Sequence, residues 1–215
     1  MNYQDQMTGT LYLVSTPIGN INDISIRAID ILSSVDIILT EDTRVTSKLL
    51  KHHSVVAKSS LQSFNQINED RKAPNIILSL KEGKNIALVS DAGTPLISDP
   101  GYKFIKHARE SNIKVEPVPG CCALIAAITS SGLPSDRFSF HGFLPRSATK
   151  RINELKKISD KEETLIFFAS AIIYPSLIFI FAPNLFNSDT CMNLFSKIFS
   201  LIVEGPFAMH IKAII

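Results

Sequence analysis

No tryptophan, only three cysteines and a net charge of +2 set the first limits on this 215-residue chain. Cys121, Cys122 and Cys191 offer no paired disulfide framework, and two adjacent cysteines lack metal-ligand spacing, so a reducing cytoplasm is the expected compartment. With so little net charge the field of the whole molecule cannot attract nucleic acid. Any such contact requires a local basic patch. The first ten residues, MNYQDQMTGT, lack the basic start and apolar stretch of a secretory signal. Equally missing are a Gly-x-x-x-x-Gly-Lys-Ser/Thr loop for a nucleoside triphosphate, a Gly-x-Gly-x-x-Gly turn for a dinucleotide and a Gly-x-Ser-x-Gly elbow for a nucleophilic serine. No zinc signature, repeat or low-complexity tract occurs. His52 and His53 are sequence neighbours expected to face solvent on a helix, and His107 is expected at the surface of another.

Charge runs out towards the carboxyl end. Of the 22 Lys and Arg only Lys197 and Lys212 follow residue 163, and the acidic residues there are Asp189 and Glu204. Leu165 to Ala182 is an uncharged run of 18, long enough to be considered as a membrane span. Ser170, Tyr174, Pro175 and Ser176 interrupt it, and Pro175 would break a continuous helix ladder. A strand from Thr164 to Phe168, followed by apolar sequence without an assigned element, is therefore favoured over a span.

What is present alternates. Apolar runs of strand length (9–14, 35–39, 86–89, 115–118 and 164–168) are separated by segments of helical period (25–33, a helix through Leu49 and Leu50, 74–82, 101–111 and 121–131, the last ending at Gly132). Repeated βα units of this kind predict an α/β fold with a mainly parallel sheet covered by helices. A PG turn at 119–120 interrupts the series and sets the expected domain boundary, with a first α/β domain over 8–118 and a second over 119–215. The length suffices for two small domains with real cores.

The most informative stretch is Ser90 to Gly101, SDAGTPLISDPG, which follows the run Ile86 to Val89. Its glycines permit backbone conformations closed to other residues, and Pro95 and Pro100 keep it from relaxing into helix. A shaped loop at the carboxyl end of a strand is where open α/β sheets bind ligands. It is also longer than a plain connector needs to be.

Five segments, LYLVSTPIGNINDISIRAIDIL, DIILTEDTR, NIALVSDAGTPLISDPG, VEPVPGCCALIAA and SGLPSDRFSFHGFLPR, resemble the tetrapyrrole methylase superfamily. Within it they are similar to the branch that methylates a cytidine 2′-hydroxyl in small-subunit (16S) ribosomal RNA. The resemblance runs in order over residues 8–168. It implies a two-domain fold that holds folded S-adenosylmethionine through backbone groups, without a metal. Pro17 and Gly19 would form one wall and Asp91, Ala92, Gly93, Thr94, Ile97, Ser98 and Asp99 the floor. Pro119, Gly120 and Ala123 would form the far side, although Ala123, Ala126 and Ala127 are equally well placed for close helix–sheet packing. Loops rich in exposed peptide dipoles suit a neutral adenosine and a zwitterionic tail.

For the reaction, EDTR at 41–44 would supply Glu41 and Asp42 to accept a proton or orient the hydroxyl, and Arg44 to meet a phosphate. The competing reading is that Thr40 or Asp42 caps the following helix. Arg137, Arg146, Lys150 and Arg151, around Phe138, Phe140 and Phe143, offer charge beside stackable rings, as an exposed RNA segment requires. They are also explicable as a solvated turn and helix start. The implied partners are the small ribosomal subunit and a second copy of the chain, with no membrane.

After Phe168 the resemblance weakens. An aromatic pair followed by Glu-x-x-His-Arg is expected there, whereas the chain has Phe167, Phe168, Ala169, Ser170, Ala171, Ile172 and Ile173. Further on, Arg-Glu-Leu-Thr-Lys is faintly echoed at 193–197. The second domain is thus expected to be incomplete or degenerate beyond about 168. Two outcomes follow, an active ribose methyltransferase or a remnant without turnover. A methylase of small tetrapyrrole-like substrates is disfavoured by EDTR and the basic loop.

Overall fold

The computed structural model describes residues 8–56, 59–145, 147–158, 160–169 and 177–181. The chain forms two units, residues 1–122 and 123–215.

In the first unit β1 (Thr10–Val14), β2 (Ile37–Thr40), β3 (Ser60–Ser63), β4 (Ile86–Val89) and β5 (Lys114–Val118) build one sheet in the order β3-β2-β4-β1-β5. Every pairing is parallel, as the βα alternation predicts. Helices α1 (Ile26–Ser34), α2 (Thr43–His52), α3 (Glu69–Lys81) and α4 (Tyr102–Glu110) make the crossovers. Strand side chains alternate between the faces. Leu11, Leu39, Ile86 and Leu88 therefore pack on one side against Ala73, Ile76, Ile77 and Leu80 of α3 and Phe104 and Ala108 of α4. Val14, Ile38, Ala87 and Val89 pack on the other against Ala28 and Leu32 of α1 and Leu50 of α2. With both faces covered, the central strand β4 is apolar at all four positions and fully buried. Ser25 caps α1 by accepting from the Ala28 N–H at 3.1 Å, a contact that contributes about 1 kcal/mol.

Two expectations are corrected here, and one strand is added. Helix α3 begins at Glu69, not at Pro74, because an Asn65 turn starts it: Asn65 Oδ1 accepts from Ile67 and Asn68 N–H. Glu69 and Asp70 then favour the first turn electrostatically. Strand β3 escapes an apolar-run search, since SLQS is a polar edge strand. His53 does not simply face solvent; it is half-buried, and its Nε2 lies 2.8 Å from the Ile21 carbonyl.

The second unit contains α5 (Ala123–Ser131), β6 (Phe138–Phe143), α6 (Ala148–Ile158), β7 (Thr164–Ala169) and β8 (Leu177–Phe181). β6 pairs parallel with β7, with a register shift between Phe140 and Phe143, and β7 pairs antiparallel with β8. The uncharged run from 165 therefore holds two paired strands, 165–169 and 177–181. No helix among the described residues is long and apolar enough to cross a membrane. Residues 170–176 and 182–215, which carry the divergent motif positions from Ser170 onward and the faint echo at 193–197, lie outside the described residues.

Candidate cofactor and catalytic site

The loops that leave β1, β2, β4 and β5 are tied to one another at the carboxyl edge of the first-unit sheet. Thr16 and Gly93 exchange both backbone hydrogen bonds, Thr16 N–H to Gly93 O at 2.9 Å and Gly93 N–H to Thr16 O at 3.1 Å. The Thr16 hydroxyl donates to the Ser90 carbonyl at 3.1 Å, and the Ser90 hydroxyl to Gly93 O at 2.9 Å. Thr94 donates its one hydroxyl proton to the Cys121 carbonyl at 2.9 Å. The Ser15 hydroxyl, 3.1 Å away, must then donate to Thr94. Asp91 Oδ1 accepts the Asp42 N–H at 3.0 Å, which joins the EDTR loop to the glycine-rich loop.

Close approach dictates two of the glycines. Gly93 has φ +89°, and a Cβ there would stand 3.2 Å from Ile18 Cγ2. A Cβ on Gly120 would come within 2.9 Å of Ser15 Cβ. Leu96 (φ +73°) and Ser98 (φ +66°) are left-handed without being glycine. Such conformations persist only where the surroundings over-determine them, and they gather at functional loops. Pro17 is half-buried beside this edge and Gly19, Pro119, Gly120 and Ala92 are exposed on it, while Ile97 is half-buried within the loop. Ala123 opens α5 in the second unit.

The acidic side chains divide into two kinds. Asp42 is the N-cap of α2 and accepts from Arg44 N–H at 2.9 Å. Its carboxylate also takes Arg44 Nε at 3.0 Å and Nη2 at 2.6 Å. Those hydrogen bonds hold its pKa down, at about 2. A group so stabilised as an anion is a weak proton acceptor. Arg44 is correspondingly occupied by Asp42. Glu41 and Asp99 instead share a small pocket with Phe64, Ser90, Pro95 and Pro100. Glu41 is exposed as a residue, yet partial burial of its carboxyl, then Asp91 and Asp42, push its pKa up. Asp99 is pushed up to about 6, first by burial and then by Glu41 and Asp91. Asp91 is raised by burial, against the opposing hydrogen bond from Asp42 N–H. Of the four carboxyls, Asp99 is thus the one suited to moving a proton near neutral pH, and Glu41, also raised, lines the same pocket.

The sign of that shift yields a test. A carboxyl whose pKa rises on folding stabilises the fold while protonated; the benefit is complete below its ordinary value of 3.8 and is lost as pH climbs through about 6. Asp99→Asn is expected to raise the melting temperature at pH 7.5 and leave it unchanged at pH 3.5. Equal melting temperatures for the two proteins at both pH values would show that Asp99 is not strained by its charge.

In the second unit the expected basic cluster is redistributed. Arg151 is buried on the same face of α6 as Leu155, and its Nη1 donates to the Pro145 carbonyl at 3.3 Å. Burial pulls the guanidinium pKa down. Its side chain is thus buried, where a surface contact was expected. Arg137 and Lys150 are exposed, Arg137 lying 3.9 Å from Asp136. Arg146 lies outside the described residues. Phe138 and Phe143 are exposed, and Phe140 and Phe143 pack edge-on against Phe168 with ring centroids 4.7 and 5.4 Å apart. Sequence reasoning assigned no contact to Ser15, Thr16 or Ser90, which knit the loops. Their signal was small hydroxyl residues placed directly after β1 and β4. Among the described residues no group of His, Cys, Asp and Glu is arranged to hold a metal.

The model of the tetrapyrrole (corrin/porphyrin) methylases matches residues 10–183. The chain belongs to this family. It is 50% identical over 166 residues to "Ribosomal RNA small subunit methyltransferase I" of Escherichia coli O157:H7, covering 77% of this chain and 57% of that protein. Against the protein of the same name from Vibrio cholerae it is 51% identical over 160 residues, 74% of this chain and 55% of that one. The chain thus spans little more than half the length of these relatives. Both carry the name of the expected branch. Among solved structures, diphthine synthase aligns with a TM-score of 0.59 at 15% identity, over 75% of this chain and 64% of that one. Uroporphyrin-III-C-methyltransferase from Thermus thermophilus aligns with a TM-score of 0.50 at 20% identity, over 75% of this chain and 68% of that one. At these identities the likeness is one of fold.

Proposed function

We propose that the chain uses S-adenosylmethionine to methylate the 2′-hydroxyl of a cytidine ribose in small-subunit (16S) ribosomal RNA, in the cytoplasm and as a homodimer. One observation carries the proposal: the loops after β1, β2, β4 and β5 are knitted together at one sheet edge, presenting Gly93 and Gly120 where side chains would intrude. Such a surface suits a ligand recognised through peptide groups, so the residues present fit the cofactor. S-adenosylmethionine supplies, when bound, an electrophilic methyl group. This chain's contribution is then to hold the hydroxyl in line and receive its proton, for which Glu41 and Asp99 are the candidates. Asp42 orders the loop and Arg44 is held by Asp42. Pro17, Gly19, Asp91, Ala92, Gly93, Thr94, Ile97, Ser98, Asp99, Pro119 and Gly120 are the proposed cofactor surface. Calorimetric titration of the purified chain with S-adenosylmethionine tests the proposal; absence of binding overturns it.

Arg137 and Lys150, with Arg146, are the proposed phosphate contacts, beside the exposed rings of Phe138 and Phe143. Arg137→Gln with Lys150→Gln is expected to weaken binding to small ribosomal subunits and to flatten its salt dependence by about two counterions, leaving cofactor affinity unchanged. An unaltered salt slope in filter-binding titrations returns both residues to the solvated surface. A second reading, that turnover has been lost, is favoured by Ala169, Ile172 and Ile173, which stand where the family resemblance calls for Glu, His and Arg.

A further inference from the structure

We propose that Glu69 is a positioning residue that fixes the carboxyl end of the cofactor loop, an inference that rests on the cofactor surface proposed above. The loop 90–101 has two ends. Its start is fastened by the Thr16–Gly93 exchange, by Ser90 and by Asp91 on Asp42 N–H. Its finish runs into α4, whose N-cap is Gly101, a residue with no side chain to satisfy the first N–H groups of the helix. Glu69, the first residue of α3 and almost completely buried, fills that gap from another helix: its Oε1 accepts the Phe104 N–H at 3.1 Å. A carboxylate at this position also meets the favourable end of the α4 dipole. Around it the Phe64 and Phe104 rings lie 5.0 Å apart, and Lys103 faces Asp70 at 3.7 Å across the same two helices.

Between these anchors lie four left-handed residues, Gly93, Leu96, Ser98 and Gly101. The strain at Leu96 and Ser98, which unlike the two glycines disfavour that region, relaxes when either end is released. Without Glu69, α4 would lose the partner that satisfies its third N–H. The loop would then be free to redistribute those dihedrals, moving Ile97, Ser98 and Asp99 relative to Asp91. Glu69 contributes no group to the pocket that Glu41 and Asp99 line, so it acts through the loop.

The test compares wild type with Glu69→Ala, Glu69→Asp and Glu69→Gln, reading S-adenosylmethionine affinity by calorimetry and amide hydrogen exchange of the free proteins. Glu69→Ala and Glu69→Asp, which withdraw the acceptor, are expected to bind about tenfold more weakly and to speed exchange within residues 90–105 alone. Glu69→Gln keeps an acceptor oxygen and is expected to stay within threefold of wild type in affinity and to exchange like it. Uniformly faster exchange across the sheet, or failure of both the Ala and Asp variants to fold, would show a general stabilising role and overturn the proposal. So would wild-type affinity in Glu69→Ala. If wild type itself binds no cofactor, the functional proposal fails, while the exchange pattern still decides whether Glu69 holds the loop.

Discussion

Gly93→Val is expected to lower S-adenosylmethionine affinity about 100-fold without unfolding the sheet. Gly93 holds φ +89°, where a β-branched residue is strongly disfavoured, and its new Cβ would press on Ile18 at 3.2 Å. Strain of this kind costs about 1–3 kcal/mol, and each 1.4 kcal/mol is a factor of ten in binding. The substitution also disturbs both hydrogen bonds with Thr16, so the loops after β1 and β4 shift together. Core residues are spared because Gly93 follows β4 and contributes to neither apolar cluster. Calorimetry beside a thermal melt separates the two effects. Undiminished affinity in a folded Gly93→Val protein would move the cofactor site elsewhere.

Single-turnover methyl transfer by this chain is expected to run about a thousandfold or more below that of the Escherichia coli relative. The proposed reason lies at 169–173, where Ala169, Ile172 and Ile173 stand at the places for which the resemblance implies Glu, His and Arg, and only Ser170 is polar. Losing even one group that orients a nucleophile or stabilises developing charge costs about 100- to 1,000-fold in rate. Labelled methyl groups, unmodified small ribosomal subunits and the full-length relative as control make the measurement. A rate near that of the control would show those three side chains to be dispensable. Retained cofactor binding with slow transfer would instead place the defect in the chemistry.

Much of the first unit was legible because buried parallel strands announce themselves as unbroken apolar runs, as IALV does at β4. SLQS gave no such sign, since an edge strand has one open side and can be polar. The start of α3 was hidden by Pro74, a residue favoured in first turns but here six residues into the helix. At the site, the glycine and proline content located the loop, and EDTR located its acidic neighbours. Their division of labour was half legible: Asp42 as the cap of the next helix was one of the readings of EDTR, whereas the pocket that Glu41 shares with Asp99 gave no sign. Asp42 and Glu41 are adjacent carboxylates in sequence; the capping of α2 and the Arg44 pair mark the first, and the pocket marks the second. Arg151 likewise looks like Lys150 until the helix face is known; the clue was Leu155, one turn along on the same side.

The link between Asp91 and the Asp42 main chain has a genetic counterpart. One partner is a carboxylate and the other a peptide N–H, so the contact survives any side chain at position 42 except proline, which has no N–H to give. Co-varying substitutions between 42 and 91 would therefore leave no trace of this bond across lineages, however tightly it couples the two loops. Selection acting on it would fall on the side chain at 91 and, at 42, only against proline, and a proline scan through 41–44 is the mutational experiment that exposes it.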